Sequence, residues 1–184
     1  MKKSGHNSRG VGLVLKAAQF AAHKHRDQRR KDANAIPYIN HPLALAAVLW
    51  EEGGVRDPIV IAAALLHDTM EDTQTSYEEL RGAFGETVAD IVVEVTDVKF
   101  LRKGSRKRLQ VERAAQASPA AKLVKLADKI CNLRDLLASP PSGWSLERRR
   151  EYFDWAEDVL DQVRGTNARL ERKFDQLCRK KPSL

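Results

Sequence analysis

The feature that most constrains the fold is an uninterrupted apolar run, Ile59 to Leu66, in the 184-residue chain. Asp57 and Pro58 precede the run as a cap and first-turn pair, which predicts that a helix begins there. Because this helix is apolar on every side, we expect it to be buried on every side. The residues that follow it, His67 to Asp72 (HDTMED), include one imidazole and three carboxylates. The sequence therefore predicts a central core helix that ends in ionisable groups.

Helical spacing and capping signals recur along most of the remaining chain, and no convincing β-hairpin signal is present. We predict an all-α fold, a helical bundle around the buried third helix, as a single domain over residues 1–184. Its core covers about residues 12–178, residues 1–9 are expected to be disordered, and residues 26–37 form a charged loop. Two further helices are predicted before the central one, Val11 to His25 and Leu43 to Glu52, the second opened by Asn40 and Pro42. After it we predict a short helix capped by Ser76, a helix that runs through Val95, and a helix that follows a loop of basic residues, 99–108. The last three predicted helices run from Ser118 to Leu137, from a cap at Ser145 to Arg164, and from beyond Gly165 to about Cys178.

Composition excludes several classes of protein. With 42% apolar and 31% charged residues, the chain has the composition of an ordinary globular protein. The longest apolar runs, Leu43 to Trp50 and Ile59 to Leu66, are far shorter than the ~20 residues of a membrane span. Lys16 interrupts the only apolar stretch near the N-terminus, which is unlike a signal peptide. Two cysteines cannot build a disulfide scaffold and fit a reducing compartment. We expect a cytoplasmic protein.

Charge is distributed unevenly along the chain. Residues 1–32 carry a formal charge of +7, residues 51–97 carry −10, and residues 98–134 carry +9, within a net charge of +7. An acidic segment between two basic segments indicates a cation site beside an anion site. The alternative is a nucleic-acid binder, as the isoelectric point near 9.5 would allow. We disfavour it because the basic segments lack the interleaved aromatic residues of base-stacking surfaces.

The ionisable groups after the core helix indicate a divalent metal. Buried imidazole and carboxylate groups are costly unless they are paired or coordinate an ion, and this donor set suits Mn²⁺ and similar ions. For His67 and Asp68 alone, a solvated helix end is the simpler interpretation. His41, at a predicted helix start, and Asp128, in the middle of an apolar helix, change that balance. Together these four residues form the two-histidine, two-aspartate set of a metal phosphohydrolase.

The order of these residues, H…HD…D, resembles the HD-domain superfamily, which is all-α. Longer strings make the resemblance more specific, namely QRRKD (28–32), PYINHP (37–42), AALLHDTMEDT (63–73), KLVKLADKICNLR (122–134) and YFDWA (152–156). They resemble the guanosine-3′,5′-bis(diphosphate) 3′-pyrophosphohydrolases, the hydrolase half of the RelA/SpoT proteins. The similarity is closest to the small stand-alone hydrolases of the metazoan SpoT homolog type, and it covers about residues 12–178.

The resemblance implies a Mn²⁺-dependent enzyme that removes the 3′-diphosphate of ppGpp or pppGpp and leaves GDP or GTP and pyrophosphate. It implies that His41, His67, Asp68 and Asp128 bind the metal and that Glu71 and Asp72 activate the attacking water. It also implies contacts with the nucleotide from Arg30, Lys31, Asn132, Lys103 and Arg148. One departure is Val98, where the family usually has a second aspartate after Thr96 and Asp97.

Two alternative functions remain open at this stage. One is a phosphatase of a related nucleotide, acting on the 2′-phosphate of NADPH or on a ppApp-type alarmone. The other is a catalytically silent nucleotide-binding regulator, against which the intact Glu71 and Asp72 pair argues. The expected partner is a small nucleotide, with no nucleic acid, membrane or obligate protein partner, and with no room for a synthetase domain.

Several further residues are assigned to ordinary structural roles. His23 and His25 end a basic helix, and the solvent-facing interpretation is favoured over metal ligation. Trp144, Tyr152 and Trp155 stand at helical or turn spacing, which is typical of aromatic anchors that pack C-terminal helices together.

Overall fold

The computed structural model describes residues 4–32, 34–97 and 100–183, with side chains from Ser8 onward except that of Lys103. Within these residues the regular structure is helical, and the only β-type pairing is an isolated antiparallel bridge between Arg29 and Pro37. The α-helices are α1 (Ser4–Lys24), α2 (Asn40–Ala47), α3 (Pro58–Leu66), α4 (Thr69–Asp72), α5 (Tyr77–Phe84), α6 (Glu86–Val95), α7 (Lys103–Gln116), α8 (Pro119–Ala138), α9 (Leu146–Asp161) and α10 (Ala168–Cys178). A π-helical turn, Val48–Glu52, extends α2.

Helix α3 lies at the centre of the bundle, as its sequence predicts. Every side chain from Val60 to Leu66 is buried, and α3 packs against α1, α2, α6 and α8. Replacing a fully buried leucine such as Leu66 by alanine costs about 2–5 kcal/mol of stability. The expected all-α fold class, with a buried central helix, is confirmed.

The capping signals place most helix starts correctly. The Asp57 side chain accepts a hydrogen bond from the Ile59 N–H, 2.9 Å away, and α3 begins at Pro58. Ser76, Ser118 and Ser145 each accept from a backbone N–H three residues later, at the starts of α5, α8 and α9. A serine or aspartate oxygen satisfies a backbone donor that the first helical turn leaves without a partner, which explains the agreement.

Three boundaries differ from the predictions. Helix α1 begins at Ser4 instead of Val11, so residues 4–9, expected to be disordered, are helical. Asn40 is the first residue of α2 and not its cap, because the chain already has helical dihedral angles at Ile39. Helix α9 ends at Asp161 instead of Arg164. The last helix begins after Gly165, as predicted, and it is capped by Asn167, whose side chain accepts from two backbone N–H groups. The exact end of a helix depends on local backbone geometry, which residue type alone does not encode.

An ion pair joins the two elements that carry His41 and Asp128. Arg134 of α8 donates to both carboxylate oxygens of Glu52, at 2.6 and 2.8 Å. This fork-shaped pairing is geometrically specific, so it fixes the π-helical turn after α2 against α8. Lys173 of α10 approaches the same carboxylate at 3.7 Å.

Across the described residues, each helix is either too short or too polar to cross a lipid bilayer.

Candidate metal and nucleotide site

Three separate segments of the chain bring a cluster of potential metal ligands together. His41 lies in the first turn of α2, His67 directly follows α3, and Asp128 lies in the middle of α8. One ligand atom from each lies within 4.8 Å of the other two, and both imidazoles are buried. The His41 Nε2 atom is 3.2 Å from Asp128 Oδ1, and the His67 Nε2 atom is 3.9 Å from the same oxygen. These three residues could hold a metal ion between them.

Asp68, the fourth predicted ligand, adjoins this cluster. Its Oδ2 atom is 2.8 Å from His67 Nε2, and the Tyr38 hydroxyl donates a hydrogen bond to the same oxygen. The chain leaves the helical path after Leu66, turns through His67 and Asp68, and resumes as the four-residue helix α4. The turn therefore places the two predicted ligands between α3 and α4.

The polar atoms of His67 fit a metal ligand. Its Nδ1 lies 2.9 Å from the carbonyl oxygen of Ala64, so Nδ1 carries a proton and Nε2 is the nitrogen left to bind a metal. That Nε2 atom is buried, and it faces the Asp68 and Asp128 carboxylates at 2.8 and 3.9 Å. A backbone carbonyl that fixes the tautomer in this way is the usual support of a metal-binding histidine. The donor set of imidazoles and carboxylates suits a divalent ion.

The electrostatics of the cluster favour a bound cation. Burial opposes the charged form of His67, but the Asp68 and Asp128 carboxylates raise its pKa to about 9. Burial also opposes ionisation of Asp128, yet Lys129 and the two histidines hold its pKa well below the ordinary value. The carboxylates are therefore ionised at neutral pH. A divalent ion would displace the proton from His67, because metal ligands must be deprotonated.

Two neighbours on α8 hold Asp128 in place. Lys129 is buried and its Nζ atom lies 2.8 Å from Asp128 Oδ2. Asn132 donates from its side-chain amide to Asp128 Oδ1, at 2.6 Å. Asn132, predicted to contact substrate, thus also touches a predicted metal ligand.

The predicted catalytic carboxylates lie on α4 and line a cavity of about 370 Å³. Glu71 accepts a hydrogen bond from the backbone N–H of Asp97, 3.2 Å away. Burial, followed by the negative charges of Asp97 and Asp68, raises the pKa of Glu71 to about 7. Asp72 accepts a hydrogen bond from the Gln28 amide at 2.9 Å.

Of the predicted nucleotide contacts, Arg30, Lys31 and Asn132 line this same cavity. The guanidinium of Arg30 lies 2.5 Å from Asp135 Oδ2 and 5.6 Å from the centre of the Tyr38 ring. A second cavity, of about 260 Å³, shares Lys31 with the first and is lined by Arg148. The side chain of Lys103 and the whole of Val98 lie outside the described residues.

Comparison with known proteins identifies the family. A family model described as "HD domain" matches residues 17–154. The guanosine-3′,5′-bis(diphosphate) 3′-pyrophosphohydrolase of Xenopus tropicalis is 56% identical over 170 residues, which cover 92% of this chain and 95% of the relative. The protein of the same name from Homo sapiens is 54% identical, with 91% and 94% covered. This chain belongs to the HD-domain (p)ppGpp 3′-pyrophosphohydrolase family.

A solved structure supports the same placement. It is described as a metazoan ortholog of SpoT that hydrolyzes ppGpp and plays a role in starvation responses. Its TM-score to this chain is 0.90 at 50% sequence identity, with 94% of this chain and 97% of that chain covered. The resemblance stated from the sequence motifs is confirmed at the level of the family.

The structure of this HD-domain protein also shows site residues that sequence analysis missed. Trp144 and Tyr152, interpreted as packing anchors, line both cavities, although each also packs against the core. His25, interpreted as solvent-facing, is buried beside Tyr38. Gln28 and Tyr38 lie within the QRRKD and PYINHP strings, and their place in these strings is the sequence feature that could have indicated a role in the site.

Proposed function

We propose that the protein hydrolyses the 3′-diphosphate of ppGpp and pppGpp, leaving GDP or GTP and pyrophosphate. One observation carries this proposal. The buried cluster of His41, His67 and Asp128 lies beside a cavity whose lining combines acidic Glu71 and Asp72 with basic Arg30 and Lys31. Such a site suits a polyphosphate substrate, because cations bind the phosphates while carboxylates activate a nucleophile. The relatives named for this activity support the substrate assignment.

We assign His41, His67, Asp68 and Asp128 as ligands of one divalent ion, Mn²⁺. The support is the donor chemistry together with the buried Nε2 atom of His67, which faces the Asp68 and Asp128 carboxylates at 2.8 and 3.9 Å. When bound, the ion would polarise a phosphate oxygen and lower the pKa of a nearby water. The residues themselves align the site through the fixed tautomer of His67 and through the contacts of Lys129 and Asn132 with Asp128.

Glu71 and Asp72 would act on the attacking water. A general base is most effective when its pKa lies near the working pH, and the pKa of Glu71 is raised to about 7. In the proposed reaction, the water oxygen bonds to the phosphorus attached to the ribose 3′-oxygen, and that phosphorus–oxygen bond breaks. The water gives up a proton to the carboxylate, and the departing 3′-oxygen takes up one proton.

The basic residues would bind the rest of the nucleotide. Arg30, Lys31 and Asn132 line the first cavity, and Arg148 lines the second. Because the cavities share Lys31, Trp144 and Tyr152, a substrate with phosphates at two positions could occupy both. Lys103 begins the basic helix α7, and we keep it as a proposed phosphate contact.

The decisive experiment offers the purified, Mn²⁺-loaded protein ppGpp, pppGpp, ppApp and NADPH in parallel and separates the products by chromatography. We expect GDP and GTP, with equimolar pyrophosphate, from the two guanosine substrates at the highest kcat/KM. Glu71→Gln serves as a matched control, because it preserves the shape of the side chain and removes the base. Faster phosphate release from NADPH, or turnover of ppApp alone, would replace this substrate assignment with one of the alternatives. Binding of ppGpp without turnover would favour the silent regulator.

We also propose a cytoplasmic location and activity without an obligate protein partner. Cys131 and Cys178, the two cysteines of the chain, are both unpaired, which suits a reducing compartment. Cell fractionation would test the location, and turnover by the purified protein alone would test the independence from partners.

A further inference from the structure

A buried histidine outside the predicted metal ligands is connected to the catalytic carboxylates. His25 follows the end of α1, and its side chain is 2% exposed. The Nδ1 atom of His25 lies 2.6 Å from Gln28 Oε1, and the other end of that amide donates from Nε2 to Asp72 Oδ2 at 2.9 Å. A chain of two hydrogen bonds therefore runs from a buried imidazole to a residue that lines the cavity.

The direction of each hydrogen bond in this chain follows from the chemistry of its end group. An ionised carboxylate only accepts hydrogen bonds, so the amide NH₂ of Gln28 must face Asp72. The amide oxygen then faces His25, and because that oxygen only accepts, Nδ1 of His25 must carry the proton. A hydrogen atom on Nδ1 thus fixes which way round the Gln28 amide is held.

The surrounding structure holds the imidazole and the amide in this arrangement. The His25 ring packs against the Tyr38 ring, with 4.9 Å between the ring centres. The Gln28 backbone N–H donates to the His25 carbonyl at 3.0 Å, and the Gln28 carbonyl accepts from the Tyr38 N–H at 3.1 Å. The His25 Nε2 atom is buried without a hydrogen-bond partner among the described residues. A buried imidazole costs stability when one of its nitrogen atoms lacks a hydrogen-bond partner. Packing alone is therefore a poor explanation for a histidine at this position.

We propose that His25 is a positioning residue that acts through Gln28 to orient the Asp72 carboxylate toward the reacting water. This inference rests on the proposed hydrolase function. The Nδ1–H group holds the Gln28 amide in one of its two orientations, and the amide in turn holds Asp72 Oδ2. Without that donor, the amide is released to rotate and Asp72 loses one of the contacts that align it. Small misalignments of a catalytic group reduce the rate of the chemical step more than they reduce substrate binding.

The test compares three single variants with the wild-type enzyme, each loaded with Mn²⁺. His25→Phe keeps a ring against Tyr38 and removes the donor, whereas His25→Asn places an amide N–H near the position of Nδ1. We expect kcat for ppGpp to fall about tenfold in His25→Phe, less than the roughly 10²–10⁴-fold effect of general-base catalysis itself, with KM within about twofold. We expect His25→Asn to recover most of that loss. His23→Phe is the matched control on the exposed side of the same helix end, and we expect its kcat to be unchanged.

A double-mutant cycle separates positioning from a general structural role. If His25 acts through Gln28, adding His25→Phe to Gln28→Met lowers kcat no further than Gln28→Met alone. Additive losses, or an unchanged kcat in His25→Phe, would overturn the proposal. Gln28→Met also tests the second bond if His25→Phe does not fold, since a normal kcat in that variant would contradict the role of the amide.

The protonation of His25 can be measured without any turnover of substrate, so it tests the hydrogen-bond chain separately from the proposed hydrolase function. Nitrogen-15 NMR of the Mg²⁺-loaded protein should show His25 with its proton on Nδ1, and the opposite tautomer would exclude the hydrogen-bond chain. If the wild-type protein failed to hydrolyse ppGpp, the proposed function would be wrong whatever the tautomer. If the wild-type enzyme were active and the His25 variants were unaffected, only the positioning role would be wrong.

Discussion

The metal side of the site, meaning the cluster of His41, His67 and Asp128, and its phosphate side, meaning the loop that carries Arg30, are built in different ways. On one side, His41 and His67 are at most 5% exposed and Asp128 lies within α8, so each is held by a helix or helix end that packs in the core. On the other side, Arg30 stands in the loop between α1 and α2 and pairs with Asp135, and the two side chains are 17% and 52% exposed. A change in the first group disturbs buried charges, whereas a change in the second group alters contacts that are partly open to water. We therefore expect severe effects, coupled to stability, on the metal side and graded, salt-dependent effects on the phosphate side.

The largest effect is expected from removing the metal or one of its ligands. Chelation, or Asp128→Ala, should lower turnover of ppGpp about a thousandfold or more, because several kcal/mol of transition-state stabilisation are lost. The melting temperature should fall with it, since an ion that binds only the folded state stabilises it by mass action. An ion present at 100 times its Kd contributes ~2.7 kcal/mol, which corresponds to a shift of about 5–10 °C for a chain of this size. Metal analysis, calorimetry and an activity assay check the three effects together.

Re-addition of Mn²⁺ is the control for chelation and should restore both activity and melting temperature. A metal-free preparation that turns over ppGpp at the full rate would contradict the metal site. Activity lost without a change in melting temperature would contradict the view that the ion ties three segments of the fold together.

The next largest effect distinguishes the proposed base, Glu71, from the proposed metal ligands. Glu71→Gln should retain metal and lower kcat about 10²–10⁴-fold, because the variant lacks the proton acceptor. In the wild-type enzyme, kcat/KM should fall as the pH drops through the pKa of Glu71, which burial, Asp97 and Asp68 raise to about 7. Protonation removes the base, so activity is lost on the acid side of that value, and the charge of a bound metal moves this limb to lower pH. Metal content and a pH profile measured from pH 5 to 9 test the assignment.

Two outcomes would remove Glu71 from the catalytic role. One is full turnover by a metal-loaded Glu71→Gln variant. The other is an acid limb of the pH profile that is unchanged in that variant, since the group responsible would then lie elsewhere.

The difference between the two sides also explains what could be predicted from the sequence. The position of His67 and Asp68 could be predicted from the sequence, because they follow an eight-residue apolar run and must therefore lie at the edge of the core. The structure brings His41 and Asp128 to the same place, as the family resemblance implied. Hydrophobic periodicity and capping residues predicted most of the helices, because both signals depend on residues that are close together in the chain.

The residues that were missed depend on contacts distant in the chain. Asp135 meets Arg30 across 105 residues, and Asp97 meets Glu71 across 26. His25 was interpreted as solvent-facing because the residues next to it are charged, but the loop that follows folds back and covers it with Tyr38. Local sequence does not reveal such a return of the chain.

On the phosphate side, Arg30→Ala should raise KM for ppGpp by about ten- to a hundredfold, as expected for one lost contact of roughly 1.4–2.8 kcal/mol. Metal content should be unchanged. Added salt should weaken binding by the wild-type enzyme more than by the variant, because screening acts on the lost charge. Arg26→Ala is the matched control, since Arg26 lies in the same loop with a side chain that is 61% exposed. Equal KM values for the two variants at two ionic strengths would remove this loop from the nucleotide site.

The smallest effect is expected at Asp135, which competes with the substrate for Arg30. The carboxylate lines the cavity and lies 2.5 Å from the guanidinium, so a bound phosphate must displace it or share the same cation. Partly exposed ion pairs of this kind are worth about 0–1 kcal/mol. Asp135→Asn should therefore lower KM for ppGpp by about two- to fivefold, with kcat unchanged, and more strongly at low ionic strength. In the Arg30→Ala background the gain should shrink to the part that comes from direct repulsion between Asp135 and the phosphates. A KM that rises in Asp135→Asn would show that the carboxylate orients Arg30 for the substrate, and it would reverse this assignment of roles.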